Sequence, residues 1–137
     1  MKFVLVLIVS LAATVLAVLD GGGIANAAGA MRSEDRWNPQ HIDSLPAEIR
    51  SAIAPYARLC GGALAAEHLF ARYLDKGDVK LVGLHFEHLR CGEHAKLCTA
   101  AGCLHQVYIS TGGRYRLLKS FHTPELDLSE FRSAPAR

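Results

Sequence analysis

The chain has 137 residues, half of them hydrophobic, with 15 basic against 13 acidic side chains and a net charge of +2. That length supports one small domain once a leader is removed. So even a charge balance excludes the clustered basic stripe of a nucleic-acid-binding protein.

The N-terminus sets the expected compartment. Lys2 gives a positive start, residues 3–19 are an almost unbroken apolar run, and Ala25-Asn26-Ala27 fits the small-residue pattern that signal peptidase reads. The expectation is a signal peptide over residues 1–27, cut after Ala27, with Ala30 as second choice. The run is also long enough to anchor the chain if it is kept, since about 17 to 25 residues span a bilayer. Membrane contact is therefore expected only through this segment, if it is uncleaved. No cysteine stands near the cut, which excludes a lipid anchor there. Removal leaves 110 residues (137 − 27), and because Lys2 and Asp20 depart together the charge stays at +2.

All four cysteines, Cys60, Cys91, Cys98 and Cys103, follow the leader. An even count in an exported chain reads as a disulfide framework, and a thin core makes each bond worth about 2–4 kcal/mol. The location implied is periplasmic or secreted.

Residues 28–44 show Gly, Asn, Pro and scattered charge without periodicity, which predicts a flexible lead-in with Trp37 as a packing anchor. A single small domain is expected over 45–128. Ser44 offers a cap and Pro46 suits a first helical turn. Ile49, Ile53, Tyr56 and Cys60 then form one helical stripe, with a kink or restart at Pro55 and an end at Gly61-Gly62. Residues 63–74 fit helix or strand, with 69–74 favoured as strand by the turn residues Asp75-Lys76-Gly77-Asp78 that follow. Residues 79–89 alternate as a second strand. Val82, Leu84, Phe86 and His88 share one face; Leu81, His85, Glu87 and Leu89 share the other. Residues 104–110 and 114–121 complete a hairpin around Thr111-Gly112-Gly113. A three-residue loop would set Ile109 against Tyr115 and Val107 against Leu117 on one face, whereas a two-residue Gly-Gly turn would mix the faces. Residues 129–137 are expected to be a disordered tail. The fold class is α+β, an N-terminal helix packed on a small four-stranded antiparallel meander and stapled by disulfides.

The run "LHFEHLRCGEHAKLCTAAGCLHQVYISTGGRYRLL", with "LPAEIRSAI" upstream, resembles a group of short exported proteins of Gram-negative bacteria that share a C-x6-C-x4-C pattern. The resemblance spans residues 45–121, implies a periplasmic location and the cysteine pattern, and lends no catalytic residue. The loop "STGGRY", residues 110–115, is similar to the Ser-Gly-x-Arg-Tyr loop of periplasmic inhibitors of C-type lysozyme, which projects polar groups into the enzyme's cleft. Thr111 stands where those proteins have Ser before Gly, and their other motif is absent.

Little chemistry is expected of this chain. Paired cysteines leave no thiolate, there is no G-x-S-x-G turn, and C-x4-C before a strand is not a redox motif. No catalytic residue and no cofactor are expected. Among seven histidines, His85 and His88 point to opposite strand faces, and the cysteine spacings are not those of zinc sites, so no metal is expected either. His88 would then be a satisfied core histidine. Binding remains, to an unknown protein or envelope component rather than nucleic acid. Tyr108, Thr111, Arg114, Tyr115 and Arg116 on the hairpin are the candidate contact residues, since Arg and Tyr are frequent interface anchors. A lysozyme-type inhibitor and a histidine-based metal protein are the alternatives. Of the three cysteine pairings, Cys98–Cys103 around a short loop containing Gly102, with Cys60–Cys91, is the one expected.

Overall fold

The computed structural model describes residues 35–92 and 97–133; the expected signal peptide, the start of the lead-in, His94 and the last four residues of the tail lie outside them. Three short helices come first: α1 (Gln40–Asp43), α2 (Ala47–Ile53) and α3 (Tyr56–Leu59). Strands β1 (Ala71–Lys76), β2 (Val79–His85), β3 (Cys98–Thr99), β4 (Gly102–Thr111) and β5 (Arg114–Thr123) follow, with 3-10 turns at His68–Phe70, Phe86–His88 and Leu128–Phe131. All pairings are antiparallel. β1 pairs β2, β2 pairs β4, and β4 also pairs β5 and the two-residue β3. No helix of the described residues is long and apolar enough to cross a membrane.

The expected helix is two helices. Pro55 lacks an N–H and caps the start of α3, so the ladder stops at Ala54 and restarts at Tyr56. The stripe survives the break: Ile49 and Ile53 are buried, and Tyr56 and Cys60 pack beside them. Ser44 does not cap α2. It closes α1, its hydroxyl donating to the His41 carbonyl at 3.3 Å. The lead-in is folded from Asn38, which bridges to Ala66, because Ile42 and Leu45 enter the core.

Two apolar clusters lie on the two faces of the sheet. Ile49, Ile53, Val82, Leu84, Phe86 and Tyr108 belong to the helix side; Leu81, Val107, Ile109, Leu126 and Leu128 form the other. Gly83 admits that second layer, since a Cβ there would come within 2.8 Å of Leu128 Cδ2. The tail is therefore not disordered from residue 129: Phe131 packs on Phe121 with ring centroids 6.1 Å apart.

β2 stops at His85, not Leu89. The chain turns at Phe86–His88 and then pairs with the segment before β1, Glu67 N–H donating to the His88 carbonyl and Arg90 N–H to that of Ala65, both at 2.9 Å. The turn carries Leu89 into the helix-side cluster, away from Leu81.

The β4–β5 turn has two residues, not three. Gly112 (φ 72°) and Gly113 (φ 89°) both adopt positive φ, the requirement of the tight turn whose twist matches the strands. Tyr115 thus opposes Ser110, Arg116 opposes Ile109 and Leu117 opposes Tyr108. The faces are not mixed, because β4 is buried on both sides and its Tyr108 face takes Tyr115 and Leu117. A bulge at Leu118 then shifts the register, so that Lys119 meets Val107 and Phe121 meets His105.

Both expected disulfides are present, Cys60–Cys91 and Cys98–Cys103, and together they use every cysteine.

Candidate functional site

The hairpin residues do not form one surface. Tyr108 is 2% exposed, so it is no contact residue; it sits on the central strand beneath the helices. Its hydroxyl donates to Gln106 Oε1 at 2.8 Å, and Gln106 Nε2 donates to the Tyr56 hydroxyl at 3.3 Å. Burial, helped by the nearby Tyr56, pushes the Tyr108 phenol up to about 12. Tyr115 is half-buried, while Thr111, Arg114 and Arg116 are exposed. Arg114 reaches toward α2, with Nε 3.6 Å from Glu48 Oε1. Alternation along β5 sets Arg114 and Arg116 on the opposite side of the strand from Tyr115.

A second grouping arises where β2 ends. His85 and His105 are direct cross-strand partners, with ring centroids 5.0 Å apart and planes perpendicular. The Phe86–His88 turn swings Glu87 back over them. Glu87 Oε1 lies 3.6 Å from His85 Nδ1, and Oε2 lies 3.8 Å from His105 Nε2. Each of the three residues has a ligand-type atom within 4.8 Å of those of the other two. His105 is fully buried and His85 is 5% exposed, while the Glu87 side chain is 33% exposed.

The electrostatics of this grouping are mixed. Burial raises the Glu87 carboxyl, but the adjacent His85 imidazole, its own backbone and the charge of His105 outweigh that and hold it below its ordinary value. Burial lowers His105, against the attraction of Glu87, and keeps the imidazole neutral-leaning. Three buried side-chain atoms among the described residues have no hydrogen-bond partner: His85 Nε2, Glu87 Oε2 and His105 Nδ1. An orphaned buried polar group costs about 1–3 kcal/mol, so three in one place call for a reason.

His88 takes no part. Its Nδ1 lies 2.8 Å from Glu67 Oε2, and Glu67 also holds Arg36. A shallow cavity of about 280 Å³ lies beside that pair, lined by Asp35, Arg36, His41, Glu67, His68 and Leu69. The sequence pattern put His85 and Glu87 on one face of a strand running to Leu89, but it is the Phe86–His88 turn, after the strand ends at His85, that brings Glu87 over His85. The pattern lacked the β2–β4 register that sets His105 beside His85.

No family model, no curated protein and no solved structure matches the chain.

Proposed function

We propose that the chain is a small exported protein of the cell envelope, periplasmic or secreted, that acts without catalysis by binding a protein or other envelope component. Two disulfides suit an oxidising compartment, and the leader pattern of residues 1–27 agrees. The observation that carries the binding reading is β5. Among the described residues it is a ten-residue strand paired only with β4, and it presents the exposed Arg114, Arg116 and Lys119 on one face and Leu117, 47% exposed, on the other. An edge strand that shows a row of exposed cations suits an acidic partner. The inhibitor reading is the weaker one, because Ser110 of its loop is 2% exposed.

The test compares the mature chain with an Arg114→Glu/Arg116→Glu variant as bait in periplasmic extract. The wild type should retain a component that the variant loses. Identical retention by both would remove the hairpin as the contact surface, and inhibition of C-type lysozyme in a turbidity assay would restore the alternative.

A further inference from the structure

The geometry points to a binding site for one divalent transition-metal ion of the zinc class, built from His85, Glu87 and His105 and completed by water. It goes beyond the hairpin reading and does not depend on it.

Ligand type comes first. Two imidazoles and one carboxylate are the N/N/O set that zinc takes in sites with an open fourth position, whereas calcium and magnesium want oxygen cages. Spacing comes next. The 3.6 Å and 3.8 Å gaps around Glu87 are too long for hydrogen bonds of about 2.7–3.2 Å. One nitrogen of each histidine and one oxygen of Glu87 lie within 4.8 Å of one another, against the ligand-to-ligand edge of roughly 3.3 Å that tetrahedral bonds of about 2.0–2.1 Å produce. Glu87, the one partly exposed member, sits on a turn from which its carboxylate can swing toward the two imidazoles. It also gives the ion a path in and the fourth position a water.

The independent observation is the set of orphaned atoms. His85 Nε2, Glu87 Oε2 and His105 Nδ1 are all buried without a partner, and all belong to these three residues. A self-contained polar network would satisfy its members instead. For His105 the orientation is also set from outside. Its Nε2 lies 3.1 Å from the Thr123 carbonyl, which can only accept, so the ring proton sits on Nε2 and the Nδ1 lone pair is left for an ion. A ligating histidine held through its other nitrogen by a backbone carbonyl is the usual supporting arrangement. His85 and His105 are also locked by the β2–β4 ladder, so little ordering remains to be done on binding.

The experiment uses the full chain, oxidised, without a histidine tag and stripped with chelator. Zinc is titrated against a chromogenic chelator, and cobalt(II) is added in parallel for its electronic spectrum. The expected result is one zinc per chain, a cobalt spectrum of low coordination number with nitrogen and oxygen ligands, and a higher melting temperature with zinc. Calcium and magnesium should give none of these. Glu87→Gln, a substitution on a partly exposed turn, should weaken zinc binding at least about tenfold and abolish the melting shift, as should His85→Asn. His122→Gln, at an exposed neighbour, should leave binding unchanged. No zinc bound to the wild type overturns the site. So does Glu87→Gln that binds as tightly as wild type, since the ion is then held by other histidines. If His85→Asn does not fold, Glu87→Gln decides alone.

Discussion

Replacing Cys60 and Cys91 together by alanine should destabilise the fold more than replacing Cys98 and Cys103, and the loops say by how much. The first bond closes a separation of 31 residues and the second a separation of 5. On the chain-entropy relation these correspond to about 3.7 and about 2.1 kcal/mol, a difference of about 1.6 kcal/mol. Packing widens the gap: Cys91 is buried in the helix-side cluster and Cys60 packs against it, whereas Cys98 and Cys103 are half-buried. At about 4–8 °C per kcal/mol for a domain of this size, the two double variants should melt at least about 6 °C apart. Urea unfolding followed by circular dichroism, each variant with its remaining bond intact, measures this. The variant without Cys60–Cys91 should also show the larger m-value, because its unfolded chain expands more. Equal midpoints, or a lower midpoint for the Cys98/Cys103 variant, would refute the reasoning and shift the weight of stability to the hairpin entry.

Gly102→Ala should cost at least about 3 kcal/mol by urea unfolding, from a strained φ and a direct clash. Its φ is +112° and a Cβ would sit 2.1 Å from the Thr123 carbonyl carbon. A loss below about 1 kcal/mol would mean that β5 is not held against Gly102. In an ultraviolet pH titration, one tyrosine should ionise near the value of about 12 set for Tyr108, against an ordinary 10.0, and Tyr108→Phe should delete that late step. The folded pKa is the higher one, so this stabilisation is complete below pH 10 and is lost as pH rises toward 12, up to about 2.7 kcal/mol. For Glu67, burial raises the carboxyl, but the hydrogen bonds from His88 and Arg36 and their charges bring it below its ordinary 4.5. Its contribution is present above that value and fades as pH falls through the lower folded pKa, so Glu67→Gln should flatten the acid limb of a stability-against-pH curve.

Local patterns were legible wherever one interaction range decided them. The Ile49–Ile53–Tyr56–Cys60 stripe, the restart at Pro55, the turn before Val79 and both disulfides follow from spacing and backbone chemistry within a few dozen residues. The misses share a cause, which is that a second partner overrode local pattern. Alternation continues past His85, yet the segment at Ala65–Glu67 captures the chain there. Gly112-Gly113 allowed either loop length. Pattern chose the wrong one because Tyr108 was taken for a surface residue, and the burial of β4 on both faces is a tertiary fact. The histidine grouping was invisible for the same reason. Its members are twenty residues apart, and only the ladder joining β2 to β4 makes them neighbours.

The order of the two disulfides has a consequence for how the chain matures. Cys60 joins Cys91 and Cys98 joins Cys103, so each cysteine bonds to the next in sequence, and the links neither cross nor nest. A chain threaded N-terminus first into an oxidising compartment, with every thiol captured by the next to arrive, reaches the native linkage without exchange. An oxidase suffices and an isomerase is idle. Native pairing during export should accordingly reach the same yield in cells with or without disulfide isomerase, unlike proteins whose bonds interleave and must be reshuffled over seconds to hours.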